Sequence, residues 1–183
     1  MTDPFISRPG RLERVVLGPI RRIDLIADWT GRLASWLVVV LIVAMVYEVI
    51  SRYAFGRPTV WAYDVAWMTY GAMFMLCIAY TLYCRGHIRT DFFYNLWPPR
   101  VQGLVDGLLH LFVFFPAMFF FFWAQSTMAV ESWRIGERSF YSPWQPVLYP
   151  LKMLLALAVL LVLIQGVSEL LKCAYAVVKG RWP

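Results

Sequence analysis

The feature that most limits what this chain can become is a set of four long, almost uncharged apolar stretches. They fall at about residues 29–55, 62–84, 104–130 and 147–178. Their cores include LASWLVVVLIVAMVY (33–47), LFVFFPAMFFFFWA (111–124) and MLLALAVLLVLI (153–164). Each is long enough, with its flanks, to approach the about 20 apolar residues a helix needs to cross hydrocarbon. A membrane barrel would alternate polar and apolar residues in strands of about ten, and these runs are continuous. Composition agrees: 61% of residues are hydrophobic and 15% charged, against about 45–50% and about 25% in an ordinary soluble domain.

The net charge of +6 does not point to nucleic acid. The basic residues sit between apolar runs, where they mark topology. Arg8, Arg11, Arg14, Arg21, Arg22 and Arg32, then Arg85, Arg89 and Arg100, then Lys172, Lys179 and Arg181 place twelve on one side. Arg52, Arg57, Arg134 and Arg138 place four on the other. The excess predicts cytoplasmic termini. The expected fold is an all-α integral membrane protein of four transmembrane helices, preceded by an N-terminal amphipathic helix on the cytoplasmic membrane face. Residues 1–28 form that arm, 29–178 the membrane domain and 179–183 a cytoplasmic tail.

Within the arm, Leu12, Val15, Val16, Ile20, Ile23 and Ile26 recur at helical spacing, with Arg11, Arg14, Arg21, Arg22 and Asp24 among the rest. That is the pattern of an interfacial helix, and Pro19 is expected to interrupt or kink it. The first long apolar run begins near Leu33 and is read as an uncleaved first span rather than a signal peptide. A second interfacial piece is expected over DFFYNLWPPR (91–100), capped by Asp91 and ended by Pro98 and Pro99. Pro116 should bend the third helix. Gly103 and Gly107 have the spacing that permits close helix approach.

The polar residues carry little chemistry. Cys77, Cys84 and Cys173 show no CxxC spacing and suit neither a metal site nor a disulfide. Ser126 and Ser168 have no paired base, and nothing supports an enzyme. His87 and His110 flank one side of the second and third spans, so a bis-histidine haem and a redox-complex anchor form the rival reading. Glu48 and Arg52 stand four apart on one helix face. The short FGRPT turn brings Asp64, at the start of the second helix, to a similar depth. Such a cluster could serve as a proton relay or as a structural clasp. The apolar centres of the spans continue no relay inward, which favours the clasp. The apolar centres also leave no lining for a solute path, and the Phe-rich third helix requires lipid or a larger partner around it.

The chain resembles the small membrane subunit of tripartite ATP-independent periplasmic (TRAP) transporters, the DctQ-like family. The resemblance rests on SRYAFGRPTVWAYD (51–64), with Trp61 and an acid at Asp64, on RGHIRTDFFY (85–94), with Arg89 and Asp91, and on Pro99-Arg100. It extends over about 29–172. Asp64 stands where the family more often has Glu, and SFYSPWQPVLYPLK (139–152) looks like a longer branch. The resemblance implies a bacterial inner-membrane transporter component with no cofactor of its own. A large membrane subunit would hold the substrate and sodium sites, and a periplasmic binding protein would deliver an organic acid. The small subunit would join the static scaffold. Glu48, Arg52 and Asp64 would clasp the first hairpin, and Arg85, His87, Arg89 and Asp91 would set the end of the second helix. The loop from Trp133 through Trp144 to Tyr149 would face the large subunit or the binding protein.

Overall fold

The computed structural model describes residues 11–84 and 97–182. Its elements are α1 (Arg11–Ser35), α2 (Leu37–Ala54), α3 (Ala62–Tyr83), α4 (Pro99–Leu109), a π-helical turn (His110–Phe114), α5 (Phe115–Ile135) and α6 (Tyr149–Lys179). The only extended pairing among the described residues is a single antiparallel bridge between Arg138 and Val147. Among the described residues, four helical units are long and apolar enough to cross a membrane: Leu17–Ala54, Ala62–Tyr83, Pro99–Ile135 and Tyr149–Lys179.

The boundaries follow local chemistry. Pro99 opens α4 at its first position, where its missing N–H costs nothing and its fixed φ suits a helix. The third span therefore starts earlier than residue 104. Pro116 cannot bond back to Phe112 and crowds that carbonyl. The helix meets this by widening one turn upstream, where the Phe115 N–H bonds to His110 O. The bend signal thus appears as a π turn. α1 continues helically through Pro19, and the break expected there falls at Trp36 instead. At that point Trp36 N–H bonds to Leu33 O at 3.2 Å and Val39 N–H to Trp36 O at 3.0 Å, a tight i→i+3 pattern between two helices. The helix therefore runs across the expected arm boundary at residue 28. The expected piece over 91–100 falls mostly outside the described residues, as do His87, Arg89 and Asp91.

The helices form an open array, not a closed bundle. α6 is the central member, packed against α1, α3, α4 and α5, while α2 leans on α3. α6 reaches this position through a face of small and polar residues. Ala158, Val162, Gln165, Glu169, Lys172 and Ala176, with Gly166 and Cys173, form a buried stripe at helical spacing. Gly103 on α4 faces it so closely that a Cβ there would lie 2.9 Å from the Cys173 carbonyl oxygen. Gly31 on α1 admits the Tyr80 ring in the same way, at 2.5 Å. These are close backbone approaches of the kind that hold membrane helices together without a hydrophobic drive.

Candidate functional site

Three polar clusters organise the molecule, one at the end bearing the termini and two at the opposite, hairpin end. At the hairpin end, Glu48 is buried beside the α2–α3 turn. Its Oε1 accepts from Arg52 Nε at 2.9 Å and forms the ion pair with Arg52 Nη2. Its Oε2 accepts from the Thr59 backbone N–H at 2.9 Å and from the Thr59 hydroxyl. One carboxylate thus ties the helix end to the turn. Ser51 and Arg57 close the turn with a backbone bond of 3.0 Å, and Gly56 supplies the left-handed φ of 61° it needs. The Trp61 ring lies 5.5 Å from Tyr47 and packs the two helices above this point.

Asp64 does not join Glu48 and Arg52. Fully buried in the first turn of α3, it accepts from the Trp67 indole N–H at 3.1 Å and from the Ser142 hydroxyl. Ser142 belongs to the loop between α5 and α6. Asp64 therefore pins that loop across the outer end of α3, near the helix's positive dipole end.

The loop itself is ordered. α5 ends in a Schellman arrangement: Gly136 at φ 61°, with Glu137 N–H to Ser132 O at 3.0 Å and Gly136 N–H to Trp133 O at 3.3 Å. Ser139 N–H to Pro146 O and Leu148 N–H to Glu137 O, both 2.9 Å, close the strand-like base. Glu137 pairs with Lys152 at the start of α6, and that ammonium holds the Glu137 carboxyl below the usual carboxylate range. Trp133 stacks edge-on to Tyr149 at 4.8 Å. Trp144 is exposed, and Phe140 and Tyr141 project almost fully, at 90% and 93% exposure.

The third cluster was not foreseen as a unit. On α1, Asp24 Oδ1 accepts from Gln165 Nε2 at 2.9 Å, Ser168 Oγ at 2.8 Å and Lys172 Nζ at 3.1 Å. Lys172 also pairs with Glu169 at 2.7 Å and lies over the Tyr83 ring, 5.6 Å from its centroid. The signal was present: Gln165, Ser168, Glu169 and Lys172 form a polar stripe on one face of an apolar helix. Its partner Asp24 lies among Ile20, Ala27, Gly31 and Ala34, the buried face of α1. Ile26, counted with the apolar face, is exposed, so α1 presents one face to α3 and α6 and another, with Leu25, Trp29 and Leu33, outward.

Nearly every acid described above has a cation or donor beside it, and the three clusters clasp helices and loops to one another. Among the described residues no three His, Cys, Asp or Glu side chains converge as metal ligands would. His110 Nδ1 lies 2.9 Å from the Asp106 carbonyl oxygen on its own helix.

A family model described as "Tripartite ATP-independent periplasmic transporters, DctQ component" matches residues 26–175. The chain belongs to the DctQ family. It is thus a small TRAP transporter component and, with its four apolar helices, a multi-pass membrane protein. DctQ components as a family associate with a large membrane subunit and a periplasmic binding protein. No curated protein and no solved structure matches the chain. Membership gives no support to a redox-complex anchor.

Proposed function

We propose that this DctQ component is the static scaffold subunit of a sodium-driven transporter for organic acids in the bacterial inner membrane. Substrate and sodium would bind to the large subunit. The observation that carries the reading is the Pro99–Ile135 rod, whose apolar eighteen-residue window has no buried residue in the isolated chain. Phe112, Phe120 and Trp123 lie open along it. α2 is nearly as bare. These flanks suit a large apolar partner, and the family supplies one.

The excess of Lys and Arg at the end bearing the termini supports cytoplasmic N- and C-termini. The arm 1–28 and tail 179–183 then lie on that side, and the outward face of α1 within the arm, with Leu25 and Ile26, rests on the membrane surface. At the opposite end Glu48, Arg52 and Trp61 fix the first hairpin, while Asp64 supports the long loop. Trp133, Phe140, Tyr141 and Trp144 form the aromatic rim that meets the large subunit or the binding protein.

Co-expression with the large subunit of the same operon tests the reading. The two should purify together, and deleting the small chain should abolish uptake. A chain that neither binds the large subunit nor affects uptake overturns it.

A further inference from the structure

The open array leaves a cleft of about 560 Å³ between α3 and the α4–α5 rod, floored by α6. Ile78 and Leu82 form one wall. Asp106, His110, Phe114 and Met118, each four residues from the last, run along the other. We propose that this cleft is a binding site for one acyl chain of a phospholipid, drawn from the leaflet at the end bearing the termini. The proposal rests on the chain's being a membrane protein and is independent of its role in transport.

Three properties suit a lipid chain. The first is the lining: apart from Asp106 and His110, every residue that walls the cleft is apolar. The second is length. From Asp106 to Met118 the rod rises about 18 Å, close to the about 15 Å of one leaflet's hydrocarbon. The third is the polarity gradient. Asp106 and His110 stand at the end nearest the termini, and beyond them Val113, Phe114, Ala117, Met118 and Val162 are apolar. A headgroup at the interface with its chain reaching the mid-plane has this same order.

A partly covered apolar cluster borders the cleft. Ala79, Leu82 and Val162 form a buried cluster, while Ile78, Phe114 and Met118 pack against it and remain only partly covered. The π turn and Gly166 shape the space. Phe114 sinks against α6 so deeply that a Cβ at Gly166 would lie 2.3 Å from its ring. A second groove, between α4 and α6, is lined by Gly103, Leu104, Gly107, Leu111 and their neighbours. It is smaller, about 320 Å³, and has no polar end.

The test uses the full chain, purified in mild detergent and equilibrated in nanodiscs of palmitoyl-oleoyl phosphatidylethanolamine. Native mass spectrometry should find about one phospholipid per chain after detergent release. Ala117→Phe, which fills the cleft, should lower that occupancy about tenfold, equivalent to about 1.4 kcal/mol. Phe112→Trp, on the open face, should leave it unchanged. A photo-crosslinker at Val113 should label a phospholipid, which reads the site even if the filling variant fails to fold. No retained lipid, equal retention by Ala117→Phe, or a crosslink from Val113 to a polypeptide would overturn the proposal.

Discussion

α5 and α6 are both apolar enough to cross a bilayer, yet they occupy opposite roles. The most apolar eighteen-residue window of α6 is 39% buried within the chain, and that of the rod containing α5 is 0% buried. Composition does not separate them; side-chain size does. α6 turns Ala158, Gly166, Ser168, Cys173 and Ala176 inward, and small residues let other helices approach. α5 also packs on α6, but Phe119, Phe120, Phe121 and Trp123 remain exposed along it and leave aromatic area for something else. One helix organises the chain and the other faces outward from it.

The contrast breaks most visibly at the polar clamp of α6. Lys172→Ala removes the cation that Asp24 and Glu169 share and leaves buried charge, so the chain should lose about 3–5 kcal/mol of stability. Thermal unfolding in detergent measures it. Adding Asp24→Asn should cost less than the two single changes combined, because the second removes a charge the first left unpaired. Full additivity would show that α1 is not held by this cluster. Gly103→Leu comes next, at about 1–3 kcal/mol, since the opposing atom is a backbone carbonyl that cannot turn aside.

On the outward helix the same measurements should read differently. Phe120→Ala should change the stability of the isolated chain by less than about 0.5 kcal/mol and yet weaken retention of the large subunit in a pull-down. An equal loss in both assays would remove the distinction between the helices. Glu48→Ala lies between these cases. It frees the Thr59 N–H and the Arg52 guanidinium, and it should impair assembly more than substrate affinity. A changed sodium affinity in the intact complex would mean that Glu48 is no mere clasp.

Much of this could be read from the chain order. Helix ends, the hairpin turn and the close approach at Gly103 are local properties of Pro, Gly and apolar periodicity. The pairings of Asp24 with Lys172 and of Asp64 with Ser142 were not legible, because the partners are separated by 148 and 78 positions. At such distances the residue type states a need for a partner, and only the packing of α6 decides which one answers. Glu48, Arg52 and Asp64 illustrate the limit. Three charges at one depth look like a single cluster, but the short reach of Asp64 and the crossing loop divide them into two.

That loop gives a small expected effect. Glu137 has its carboxyl held below the usual range by Lys152. A depressed carboxylate pKa means that the pairing stabilises the loop fully above the ordinary Glu value of about 4.3 and that this is lost as pH falls through the lower, folded value. Both side chains are part-exposed, at 24% and 29%, so solvent screening keeps the contribution to about 0.5–1 kcal/mol. Protease cleavage within 137–148 should therefore be flat from pH 8 to 5 and should rise only in stronger acid, as measured with an acid-active protease below pH 4. Glu137→Gln should show the faster cleavage already at pH 7 and lose the acid dependence.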